Sequence, residues 1–228
     1  MLYKSQVYTS ASGSVGGLTY ARNRFGAYTR GRAVPVNPNS TRQQTARAFL
    51  AEFATAWASL TDAQRASWEA WAAIVTKTNK LGDQIFLTGF NWFVAINSQR
   101  AQAGITATLT VPSGTLSLST LTPPTVLVIV AGSEAEVSFE DTDEWANDDL
   151  GFLNVQISDP QPKTRNYFNG PFYLRSSILG DSVTPPTSPA TVTLPYGVLT
   201  NQRVFFRFVG QTGDGRPTAV VVASDVAG

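Results

Sequence analysis

At 228 residues the chain is long enough to bury a real core, as one large domain or two small ones. Its 17 basic and 16 acidic side chains leave a net charge of +1, so overall charge names no partner. The absence of cysteine and histidine excludes a disulfide framework, a thiolate metal site, the commonest general base and the commonest transition-metal ligand. No apolar run approaches the roughly 20 residues that span a bilayer, and the N-terminus lacks the apolar core of a signal peptide. The expectation is a chain made in the cytoplasm, with no membrane partner, no cofactor, no metal and no catalytic role.

Charge is unevenly distributed. Lys4, Arg22, Arg24, Arg30, Arg32, Arg42 and Arg47 all precede the first acid, Glu52, whereas Glu134 to Asp149 holds eight acids without an intervening base. Residues 1–17 are rich in Ser, Gly and Thr and predict a mobile or draped segment, with Gly13-Ser-Val-Gly-Gly17 as a hinge. Thr19–Arg22 and Ala27–Arg30 are β-compatible runs around an Asn-Arg-Phe-Gly turn, which predicts a two-stranded hairpin too thin to stand alone. Arg22, Arg24, Arg30, Arg32, Tyr20, Phe25 and Tyr28 are its candidate docking residues. Pro35 and Pro38 stiffen the connector that follows.

Helical signals come next. Ser40 with Gln43, and Thr61 with Gln64, match the capping-box spacing. The first helix carries the stripe Ala46, Phe49, Leu50, Phe53, Trp57 and Leu60, the second Trp68, Trp71, Ala72 and Val75 before fraying over Asn79–Gly82. A third is expected from about Gly89 to Ala103, capped by Thr88, stopped by Gly104, with Phe90, Phe93, Val94 and Asn97 along one side. The tryptophans at helical spacing read as core.

From Ile105 the alphabet changes to Thr, Val, Leu, Ser, Pro and Gly. Alternation predicts strands at Thr106–Val111 and Thr115–Leu118, then at Thr125–Ala131, Ala135–Phe139, Leu153–Ser158, Pro171–Ser176, Ala190–Leu194, Arg203–Val209 and Thr218–Ala223. The predicted fold is α+β: an extended arm (1–39), a three-helix unit (40–104), a linker or edge strands (105–122) and an all-β sandwich (123–228). Asp141-Thr-Asp143 begins like a calcium loop, but Ala146 occupies the position where the sharp turn needs Gly and the closing Glu is missing. Glu140, Asp141, Asp143, Glu144, Asp148 and Asp149 are therefore expected to be solvated or to receive a basic arm.

Two resemblances add to this. The segment from Pro123 on, with Glu136-Val-Ser-Phe139, Val204-Phe-Phe-Arg-Phe208 and Gly213-Asp-Gly-Arg-Pro217, resembles a fibronectin type III or related immunoglobulin-like module. Roughly the first 104 residues resemble a set of mostly uncharacterised phage and prophage proteins. The shared features are Gly16-Gly17, Arg22-Asn-Arg-Phe-Gly-Ala-Tyr-Thr-Arg30, Pro35-Val-Asn-Pro38, Thr41-Arg-Gln-Gln44, Leu60-Thr-Asp-Ala-Gln-Arg-Ala-Ser-Trp68 and Leu87-Thr-Gly-Phe-Asn-Trp-Phe93. This resemblance implies a virion structural protein of a tailed phage, capsid- or neck-associated. Its implied partners are capsid, portal, neck or tail proteins and copies of itself. Alternatives are a DNA-binding or packaging protein that uses the basic arm on phosphate, and a tail or surface adhesin that uses the sandwich loops.

Overall fold

A computed structural model describes residues 11–23, 26–34, 36–78 and 84–228. Arg24, Phe25, Pro35 and the expected fraying over 79–82 lie outside the described residues. The chain is α+β and divides into two compact units, 1–44 and 45–228.

In the first unit, β1 (Gly13–Val15), β2 (Leu18–Asn23) and β3 (Gly26–Gly31) form an antiparallel sheet in the order β1-β2-β3. The glycine segment expected to be a hinge thus supplies a third strand. Gly16, at φ +57°, takes the left-handed conformation that a two-residue turn needs, and Val15 then pairs with Leu18. Ser14 and Thr19 share a 2.8 Å hydroxyl hydrogen bond, and Arg32 N–H donates to Gly17 C=O at 2.8 Å, which extends the β2–β3 ladder.

Helices α1 (Thr41–Ser59) and α2 (Asp62–Ala72) are separated by two residues. The Thr61 box is complete: Gln64 N–H donates to Thr61 Oγ1 at 3.3 Å and Thr61 N–H to Gln64 Oε1 at 2.9 Å. Arg65 reaches back to the end of α1, donating to the carbonyls of Trp57 (3.3 Å), Ala58 (2.9 Å) and Leu60 (2.7 Å). Beyond a two-residue ladder of β4 (Lys77–Thr78) and β5 (Gln84–Ile85), α3 (Gly89–Gln102) starts at the Thr88 cap and ends at Gly104, φ +91°. Gly89 has no room for a side chain, since a Cβ there would lie 2.8 Å from the Glu69 backbone nitrogen.

Phe53, Leu60, Trp68, Trp71, Val75, Trp92, Phe93 and Ile96 form the helical core. On α1 the expected stripe is only partly used, for Ala46 is exposed and Leu50 is 53 % exposed. On α3 the buried face is Trp92, Phe93 and Ile96, whereas Phe90 stands at its margin, 36 % exposed.

Residues 105–111 are not a strand. They run as a strap whose backbone is held by side chains of the helices. Trp68 Nε1 donates to Thr110 C=O (2.9 Å), Asn97 both accepts from Leu109 N–H (2.8 Å) and donates to Leu109 C=O (3.2 Å), and Arg100 Nε approaches Ala107 C=O (3.5 Å). Thr115–Leu118 likewise forms no strand; the first pairing beyond the strap is an isolated bridge from Ser119 to Thr218.

The remaining strands are β6 (Thr125–Ile129), β7 (Glu134–Ser138), β8 (Phe152–Ile157), β9 (Gln161–Pro162), β10 (Tyr173–Leu179), β11 (Ala190–Thr193), β12 (Gln202–Gln211) and β13 (Val221–Val226). Two antiparallel sheets, β11-β7-β6 and β10-β8-β12-β13 with β9 on β12, face one another as an immunoglobulin-like sandwich. Val137, Leu153, Val155, Ile157, Val204, Phe206 and Phe208 lie between them. Asp225 on β13 accepts from Val128 N–H on β6 at 2.8 Å and so ties the two sheet edges.

The outer face of the larger sheet is covered too. Phe152 is fully buried against Ala103 and Ile105, and Arg100 Nη1 donates to Gly213 C=O at 3.0 Å. Helices and sandwich therefore belong to one unit, with the larger sheet as its middle layer.

Candidate docking surface

Strand alternation divides the arm's sheet into two unlike faces. Val15, Leu18, Tyr20 and Arg22 lie on one, with Ala27 and Thr29 paired beside them. Ser14, Thr19, Ala21, Tyr28 and Arg30 lie on the other. The expected docking residues are thus not brought together on one surface: Tyr20 goes with Arg22, and Tyr28 with Arg30. Arg22, Arg30 and Arg32 are exposed, Tyr20 and Tyr28 half-buried, and Arg24 and Phe25 lie outside the described residues.

No described residue before Phe53 is buried. The arm also carries apolar side chains that sequence reasoning did not single out: Val15 at 74 %, Leu18 at 46 %, Val34 at 76 % and Val36 at 89 % exposed. The available signal was a valine on each side of Pro35, where the rigid connector has no amphipathic period to bury it. Exposed apolar groups beside exposed arginines form the kind of surface that a protein partner covers.

The acidic run is used differently from the expectation. Trp145 at its centre is fully buried, its ring 5.1 Å from that of Phe139. Around it, Asp143 accepts from Thr122 N–H (3.0 Å) and Thr122 Oγ1–H (2.8 Å), and Glu144 pairs with Arg216 (3.1 Å) and accepts from Ser119 (2.8 Å). Asp148 accepts from Gly213 N–H (2.8 Å), and Asp149 from Ser182 N–H (2.9 Å). Glu140 and Asp141 remain exposed, Glu140 accepting from Thr142 Oγ1 at 3.2 Å. Four of the six carboxylates thus fasten neighbouring loops of their own chain, while Glu144 and Asp149, like Glu140 and Asp141, stay exposed to solvent as expected. Among the described residues, no group of three or more carboxylates is placed to hold a metal ion.

The turn Gly213-Asp-Gly-Arg-Pro217 serves the same junction. Burial pushes the Asp214 carboxyl up, but hydrogen bonds from Thr212, Ser113 and Arg216 outweigh it and hold the group below the usual aspartate range. Burial lowers the Arg100 guanidinium, and the charges of Asp148 and Asp214 raise it only in part. Gly215, at φ +92°, lies against Leu109 of the strap, where a Cβ would come within 2.2 Å of Leu109 Cδ2. The loops at this end of the sandwich are therefore engaged with the helices.

Among the described residues, no helix is long and apolar enough to cross a membrane. No family model, no curated protein and no solved structure matches the chain.

Proposed function

We propose that the protein is a structural component of a tailed-phage virion, capsid- or neck-associated, attached through its N-terminal arm. The observation that carries this reading is the arm's sheet: three strands in register with no buried side chain among its described residues. A three-stranded sheet of this size gains too little from its own contacts to be independently stable, so it is built to be completed by a partner. The Val15–Leu18–Tyr20 face supplies apolar area, and Arg22 at its end supplies a charge-assisted contact to a partner carboxylate that fixes register.

The arginine distribution favours a protein partner over nucleic acid. Arg22 and Arg30 point to opposite faces, so they cannot track one phosphate strand together. The test is binding of the full-length protein to purified capsid or neck subunits, with duplex DNA as competitor. Attachment that DNA displaces, and that weakens steeply with salt, would replace this reading with the packaging one.

A further inference from the structure

Two spaces on the outer face of the β10-β8-β12-β13 sheet have no part in arm docking. An open groove of about 860 Å³ lies between Ile85 and Leu87 on one side and Phe168 and Phe172 on the other. A more enclosed chamber of about 320 Å³ lies beside it under α3. Lys77 and Val220 line both, so they stand where the groove opens into the chamber.

The helical wall of the chamber is a single face of α3, because Trp92, Ala95, Ile96 and Gln99 follow the i, i+3, i+4, i+7 spacing. Val209 and Val220 contribute to the sheet-side wall. Trp92 is only 4 % exposed, and its indole is fixed edge-on to Trp71 with ring centres 5.0 Å apart. Lys77 is the one charged residue among the described residues lining the chamber, with no Asp or Glu to neutralise it there. Apolar walls, a single cation at the mouth and a volume near the lower end of the roughly 300–1,000 Å³ range are attributes of a small-ligand site.

We propose that this chamber binds a small amphiphilic anion. Its apolar body lies between Ala95, Ile96 and Val209, and its acid group sits at Lys77 in the mouth. The inference does not depend on what the arm attaches to.

1-Anilinonaphthalene-8-sulfonate has the required parts, an aromatic body and a sulfonate, and serves as the probe on the full chain. The expected result is saturable binding of one probe per chain with blue-shifted emission, weakened at least ten-fold by Ala95→Phe, which fills the chamber, and several-fold by Lys77→Gln. Because this dye also binds partly unfolded proteins, the deciding measurement uses the unaltered protein: nuclear Overhauser contacts from the probe rings to the Ala95 and Ile96 methyl groups. Contacts confined to Tyr167 and Val222 in the open groove, non-saturating binding, or no binding would overturn the proposal.

Discussion

Tyr20 and Tyr28 lie on opposite faces of the arm's sheet, because Tyr20 pairs with Thr29 while Tyr28 pairs with Ala21. If the Val15–Leu18–Tyr20 face is the one a partner covers, Leu18→Asp with Tyr20→Ala should weaken attachment by at least ten-fold. Thr19→Asp with Tyr28→Ala should weaken it much less. Neither pair should change the stability of the rest of the chain by more than about 0.5 kcal/mol, since no described residue before Phe53 is buried. Affinity for the partner and urea midpoints, measured on the same preparations, check both halves of this expectation.

The loop that carries Trp145 is held by close backbone approach. A Cβ at Gly180 would fall 2.0 Å from the Trp145 carbonyl oxygen, and one at Gly151 2.2 Å from the same atom. Gly180→Ala should cost about 1–3 kcal/mol through overpacking, and Trp145→Ala about 3–5 kcal/mol through the cavity it leaves. Denaturant unfolding of both variants tests this. A Trp145→Ala protein as stable as the parent would place the ring outside the core.

Removing the strap's anchors should uncouple the helices from the sandwich. Asn97→Leu leaves both the N–H and the C=O of Leu109 without that side chain, and should cost about 2–3 kcal/mol. Arg100→Lys keeps the charge but not the planar fork that spans from Ala107 to Gly213, so it should also destabilise. Hydrogen exchange at Leu109 and Gly213 should rise before exchange in β8 does.

The pH dependence of stability has two identifiable limbs. Burial, with the charge of Asp159 adding to it and Arg175 opposing, pushes the Tyr196 phenol up to about 12, and its hydroxyl donates to the Ser158 carbonyl. The unfolded chain loses this proton near pH 10. Between about pH 10 and 12 the folded state therefore binds more protons, and stability falls as pH rises. Tyr196→Phe should remove that alkaline slope. Asp214 works the opposite way: its depressed folded value gives stability present above the ordinary aspartate range and lost as pH falls through the lower folded one. Asp214→Asn should flatten the acid limb. Thermal midpoints across pH show whether each slope disappears.

Much of the architecture was legible because local chemistry and tertiary structure agree. The Thr61–Gln64 box opens α2, Trp68 and Trp71 are core, and each of the seven strand patterns after residue 123 overlaps an observed sandwich strand. What failed to show did so for physical reasons. Thr106–Val111 alternates like a strand, yet Trp68, Asn97 and Arg100 satisfy its backbone with side chains, and alternation cannot distinguish that from a ladder. The hydroxyl pair and two-residue turn that recruit Gly13–Val15 lie below the resolution of composition. The acidic run looked solvated because the groups it binds, Thr122, Ser182, Gly213 and Arg216, are distant in sequence. The chamber under α3 was invisible for the same reason, as its two walls meet only after folding.

The most direct test of arm attachment compares full-length chain with chain lacking residues 1–39, both supplied during particle assembly. The measured quantity is the copy number of each in gradient-purified particles. The truncated chain should fold, with an unchanged thermal midpoint for residues 45–228, and be absent from particles. Incorporation at the full-length copy number would contradict the role assigned to the arm.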